Sequence, residues 1–234
     1  MSESITPPSG FHMMLEGRLF TEAMALMAQL PLLRMSLPHG TGPVMVLPGF
    51  MADDSLTWLL RRFLDGLGYR SYPWGRGVNR GMMLDHLPGI IESLEDVRRD
   101  WQATASLVGW SRGGVLSREV ARDRPDLVRS VVTLGSPVRG GVRGTTIGRW
   151  VSRETGLTPE QMSRLLAERQ QRPIETPITA LYSKTDGVVS WQACIDEHSP
   201  HVRHDEVQGS HVGLVVNADV YRKVAAALAP YHDA

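Results

Sequence analysis

The chain has 234 residues, 42% hydrophobic and 21% charged, enough for one α/β domain with a full core and not requiring two. Lys plus Arg and Asp plus Glu balance at 25 each, so no excess of either sign points to nucleic acid or to a basic partner. The single cysteine, Cys194, leaves no intramolecular disulfide and no thiolate zinc cluster, and a reducing compartment fits best.

Residues 1–10 read as a flexible tail without the basic-then-apolar order of a secretory signal, so a cytoplasmic location is expected. Residues 13–35 read as a helix with a broad, methionine-rich apolar face, broken near Pro31 and packed on the body. Its most apolar part, residues 19–33, is interrupted by Glu22, Gln29 and Pro31 and is shorter than the ~20 residues needed to cross a bilayer. No membrane span is expected, and a homodimer is compatible with the sequence. Residues 1–43 are thus a tail and helix on a main domain at 44–234.

That domain starts with the apolar run Val44-Met45-Val46-Leu47, of the kind buried in a parallel sheet, ending at Pro48-Gly49-Phe50. Leu56, Leu59, Leu60, Phe63, Leu64 and Leu67 then share one helical face, with Asp54 or Ser55 as the cap. A strand at 70–73, a helix at 82–99 perturbed by Pro88, a strand at 104–108 and a helix at 113–122 follow. After a strand at 130–134 comes a polar insertion, 140–172, with one helix started by Thr158-Pro159-Glu160. Strands at 178–182 and 202–207 and a helix at 217–228 complete the chain. Such alternation forces right-handed crossovers and a mostly parallel sheet, here of about six strands, with helices on both faces. Ligands of these sheets bind at the carboxyl ends of the strands.

The apolar Ser106-Leu107-Val108 feeds directly into Gly109-Trp110-Ser111-Arg112-Gly113, and the amphipathic stretch 115–121 follows. This is a G-x-S-x-G turn between strand and helix, which exposes the serine on a strained backbone. A serine hydroxyl is a weak nucleophile at neutral pH and needs a base and a group to orient that base. Asp186 is the first acid after the strand ending at Tyr182, in a turn eased by Gly187. Asp196, read on a helix, and Asp205, beside a strand, are less well placed. His211, in Gly209-Ser210-His211-Val212-Gly213, follows the last strand and is the expected base. His198, His201 and His204 have a spacing that suits one face of a helix, but Ser199-Pro200 breaks a helix there, so no metal site is expected. His12, His39, His86 and His232 read as surface residues, and nothing calls for a cofactor.

Attack on a carbonyl creates an oxyanion that backbone N–H groups must meet. Arg112, after the serine, supplies one, and Phe50 the other, because Pro48 cannot donate. If Arg112 acts through its backbone, its side chain matters less than its charge suggests. Met51, Trp74, Trp110 and Trp191, near strand ends together with Phe50, form the expected apolar acyl pocket.

These residues together resemble the α/β-hydrolase superfamily, and bacterial lipases and esterases within it, from about residue 44 to 229. The resemblance implies Ser111, Asp186 and His211 as nucleophile, acid and base, and a minimal hydrolase fold with residues 140–172 as a small cap or lid. It also implies hydrolysis of a small-molecule or lipid-like ester. Acyltransferases and thioesterases use the same triad, and some members of the fold only bind. Two departures stand out: Pro48 replaces the histidine of many lipases, and a helix replaces the antiparallel strands that usually precede the oxyanion strand.

Overall fold

The computed structural model describes residues 5–231. Helix α1 (Gly10–Met14) and a 3-10 turn (Leu15–Arg18) lead into α2 (Leu19–Ser36). The body then runs β1 (Pro43–Leu47), α3 (Trp58–Gly66), β2 (Arg70–Pro73), α4 (Leu87–Trp101), β3 (Ala105–Trp110), α5 (Arg112–Asp123) and β4 (Val128–Leu134). Helices α6 (Gly148–Thr155) and α7 (Pro159–Gln170) precede β5 (Ile178–Tyr182), β6 (Val202–Glu206) and α8 (Ala218–Leu228). The six strands form one sheet in the order β2-β1-β3-β4-β5-β6, and every neighbouring pair is parallel.

Each central strand is buried on both faces, which is why it reads as a continuous apolar run. Side chains alternate across the sheet. Val44 and Val46 join Leu26 and Leu33 of α2, Phe63 of α3 and Tyr221 of α8 on one side. Met45 and Leu47 join Leu94 of α4, Leu116 of α5 and Met162 of α7 on the other. Each such fully buried aliphatic side chain stabilises the fold by roughly 1.5–3 kcal/mol.

Four local expectations are corrected. Helix α2 is not broken at Pro31 but runs on to Ser36; the proline is exposed, where water can bond the carbonyl its missing N–H leaves free. Asp54 does not cap α3; its carboxylate accepts from the N–H groups of Trp74 and Gly75 at 3.0 and 3.1 Å, and Ser55 does not cap it either. The insertion carries two helices instead of one. Helix α7 begins with the expected Thr158, which forms a reciprocal capping box with Gln161. Asp196 lies in a loop, not a helix, in a buried ion pair with Arg118 at 2.5 Å.

That pair explains part of the histidine cluster. The backbone N–H of Asp196 donates to His204 Nε2 at 3.0 Å, and the Asp196 side chain accepts from the N–H groups of His198 and Ser199. Among the described residues no group of three or more His, Cys, Asp or Glu is disposed to hold a metal ion. His39 is exposed, whereas His12 and His86 are half-buried; His86 packs against Trp74 and contacts the Arg80 carbonyl at 2.8 Å. His232 lies outside the described residues. Also among the described residues, no helix is long and apolar enough to cross a membrane.

Candidate active site

The turn between β3 and α5 holds Ser111 at φ 54° and ψ −122°, a left-handed conformation rare for a residue with a side chain. Two glycines make the turn possible. A Cβ at Gly109 would overlap the backbone of Gly114, and one at Gly113 would overlap the Leu47 carbonyl. The Ser111 N–H donates to the Leu134 carbonyl at 2.8 Å, which ties the turn to the end of β4.

His211 reaches Ser111 from the loop after β6. Its Nε2 lies 3.0 Å from Ser111 Oγ and its Nδ1 lies 2.6 Å from Asp186 Oδ2. All three side chains are buried. Because the carboxylate can only accept, Nδ1 carries the proton and Nε2 is left to accept from the serine hydroxyl. The other oxygen of Asp186 accepts from the N–H groups of Val188 and Val189 at 2.8 and 2.7 Å, so the carboxylate cannot rotate freely. Burial lowers the proton affinity of His211, but the Asp186 charge, its hydrogen bond and the charge of Glu16 outweigh it and hold the imidazole above its ordinary range.

Glu16 was not singled out by sequence. Its Oε1 accepts from the N–H groups of Gly187 and His211, both at 2.8 Å, and its Oε2 from that of Val212 at 3.1 Å. One carboxylate thus joins the loop carrying Asp186 to the loop carrying His211. Glu22 accepts from the N–H and hydroxyl of Ser210 at 2.8 and 2.7 Å, and Arg18 donates to the carbonyl and hydroxyl of Thr185. Hydrogen bonds to a charged group contribute roughly 1.5–3 kcal/mol each. The signal was two acids in an otherwise apolar helical stretch.

The loop after β1 is fixed by a second residue that sequence missed, the buried Asn79. Its Nδ2 donates to the Pro48 carbonyl, its N–H to the Ala52 carbonyl, and its own carbonyl accepts from Met51, each at 2.8 Å. Met51, at φ 58°, therefore has its N–H committed. The N–H of Phe50 has no acceptor among the described residues, and that of Arg112 sits at the first position of α5, where no helical partner exists. The Arg112 side chain is not idle: it is buried, donates to the Gly81 carbonyl at 2.9 Å and lies 5.6 Å from the Phe50 ring centre. Burial, partly offset by Glu154, lowers its pKa to about 10, so it stays charged at neutral pH.

A cleft opens beside Ser111. Phe50 and Val115 line it from the body, Val151 of α6 and Ile147 just before it from the first part of the insertion, and Met162 and Leu166 from α7. Met51, Trp74, Trp110 and Trp191 are not on its wall. Trp74 is a core residue whose indole N–H donates to the Gly77 carbonyl. Trp110 is buried on the α2 and α8 side of the sheet and donates to the His211 carbonyl at 3.0 Å. Trp191 stacks on Tyr182 and faces a separate, polar depression with His12 and Lys184. Cys194 is buried, which pushes its thiol well above the usual range and leaves it inert.

No protein-family model matches the sequence, and no curated protein does. Among solved structures, the monoacylglycerol lipase of Paleococcus ferrophilus is similar with a TM-score of 0.63 at 15% identity, over 82% of this chain and 97% of that one. Lipase BlEst2 of Bacillus licheniformis is similar with a TM-score of 0.63 at 14% identity, over 83% and 94%. A structure from a study of the metagenome-derived lipolytic enzymes LipS and LipT gives 0.61 at 14% identity, over 84% and 96%. The six-stranded parallel sheet, its flanking helices and these likenesses agree: the chain has the α/β-hydrolase fold.

Proposed function

We propose that the protein is a serine hydrolase that cleaves carboxylic esters of apolar acyl groups through an acyl-enzyme. The observation that carries this reading is the hydrogen-bonded series Asp186, His211, Ser111, at 2.6 and 3.0 Å, opening on an apolar cleft. Ser111 Oγ attacks the carbonyl carbon while its proton passes to His211 Nε2, and Asp186 stabilises the imidazolium. The N–H groups of Arg112 and Phe50 meet the oxyanion. Collapse breaks the bond to the alcohol, which takes the proton from Nε2. Water, deprotonated by the same nitrogen, then attacks the acyl carbon, and collapse breaks its bond to Ser111 Oγ, which takes the proton back from Nε2 as the acid leaves. Helices α6 and α7 act as the cap over the acyl chain. The contact between Ser111 and His211 is within hydrogen-bond reach, which disfavours a purely binding role.

The test is covalent. A fluorophosphonate should add one phosphonyl group per chain, mapped by peptide mass to Ser111, and p-nitrophenyl esters should give a burst of p-nitrophenolate equal to the enzyme present. A label on another residue, or no label and no ester turnover, would sink the proposal. Added alcohol or thiol acceptors report on acyl transfer: products dominated by the transferred acyl group identify a transferase.

Glu16 acts on this chemistry as a positioning residue. Glu16→Gln removes the charge that joins the two loops and is expected to lower kcat by between about 10- and 100-fold, the cost of slight misplacement of reacting groups, with little change in KM. It also removes a charge that raises the His211 pKa, so the acid limb of the kcat/KM profile should move to lower pH. An unmoved limb with a purely thermal loss of enzyme would reduce Glu16 to a structural brace.

A further inference from the structure

We infer that α2 is a dimerisation helix and that its outer face is covered by a second copy of this chain. The helix is apolar on both sides. Leu26, Leu30 and Leu33 are buried against the body, while Phe20, Met24, Met27, Pro31 and Met35 form one line on the outside. That line runs for about 22 Å at 1.5 Å per residue. Phe20 is 77% exposed, Met24 71%, Met27 54% and Met35 84%, and Leu32 flanks them at 64%.

Area identifies the kind of partner. Counting about 200 Å² for each fully exposed large side chain, these residues with the exposed Ala25, Ala28 and Pro31 present on the order of 800 Å² of apolar surface. The largest apolar patch on an ordinary monomer is about 300–600 Å², whereas about 800 Å² per partner is what a specific interface buries. Phe11, Met13 and Met14 of α1 are also exposed and add to the apolar surface of the segment.

Chemistry favours protein over lipid as the cover. A helix that lies on a membrane carries Lys and Arg along its polar face and is drawn by anionic headgroups. From residue 10 to 36 the basic side chains are His12, Arg18 and Arg34 against Glu16 and Glu22, with no lysine and no tryptophan, and the whole chain has zero net charge. Arg18 is turned inward to Thr185. Methionine and phenylalanine, which dominate the line, are enriched at protein interfaces, and lysine is depleted there. One patch meeting its own copy about a two-fold axis gives a closed dimer and leaves no open end to grow.

Light scattering on the eluting full-length protein, across a range of micromolar concentrations, reads the outcome. Wild type should run at twice the mass of the chain. Met24→Glu/Met27→Glu, at exposed helical positions where glutamate is a good helix former, should run at half the wild-type mass with an unchanged circular dichroism spectrum. Should that variant fold poorly, Met27→Cys serves instead. Near the middle of the line it should form a disulfide-linked dimer under mild oxidation, while Trp150→Cys, at an exposed position on α6, should not, and the native Cys194 is buried. A single-chain mass for wild type at all concentrations overturns the inference. So does a dimer that survives both glutamates, which places the interface elsewhere. A single-chain wild type that co-sediments with phosphatidylcholine vesicles, and loses this with the two glutamates, overturns it in favour of a lipid surface.

Discussion

Ser111→Ala should abolish ester turnover, lowering kcat by roughly a million-fold, and His211→Ala should cost about as much. The double variant should be no worse than either alone. The reason is geometric: in the proposed mechanism Ser111 Oγ and His211 Nε2, 3.0 Å apart, work as one device that makes an alkoxide only as the proton leaves. Without either member the other has nothing to do, so the losses do not add. On the proposed mechanism, stabilisation of the oxyanion by the N–H groups of Arg112 and Phe50, with binding in the cleft, should survive and be worth roughly a thousand- to ten-thousand-fold over water. Steady-state kinetics on one p-nitrophenyl ester, with enzyme freed of contaminating esterase, checks this. Comparable rates in wild type and Ser111→Ala would end the serine-hydrolase reading; additive losses in the double variant would mean that the two residues act separately.

Backbone pattern carried further than side-chain direction in the sequence. Val44 to Leu47 and Ser130 to Leu134 are read as strands because burial on both faces demands unbroken apolar runs. The turn at Ser111 is legible because Gly109 and Gly113 stand where any Cβ would strike backbone. Trp110 shows the limit. It is one residue from Ser111, yet the alternation of β3 turns its indole to the α2 and α8 side, where it holds the His211 carbonyl and does not line the cleft. Nearness in sequence to a strand end says nothing about the face. The helix α6 was hidden by its arginines and glycines, although Ile147, Val151 and Thr155 recur at the interval of one helical turn and all meet the cleft. Glu16 and Asn79 were hidden for a different reason. Each acts on backbone groups that lie far away in sequence, Glu16 across 171 to 196 positions and Asn79 on Pro48, 31 positions away. No local pattern encodes such partners.

Asp186→Asn should lower kcat by about ten-thousand-fold while leaving the melting temperature close to that of wild type. Both halves of this expectation follow from the hydrogen bonds at the carboxylate. Oδ1 accepts from Val188 and Val189, and an asparagine keeps those bonds only by placing its oxygen there. Its amide nitrogen must then take the place of Oδ2, 2.6 Å from His211 Nδ1. Two donors cannot share that contact, so the imidazole gives up its proton at Nδ1 and carries it at Nε2. The nitrogen facing Ser111 becomes a donor and cannot accept the serine proton, although no atom of the site has moved. The lost charge also removes the largest influence holding the His211 pKa up, so the remaining activity should reach its acid limb at lower pH than wild type. Fluorophosphonate labelling of Ser111 should slow in parallel with kcat, because it needs the same base. A variant that labels and turns over at wild-type rates would show that Asp186 only braces the loop at Val188 and Val189, and that another group orients the base.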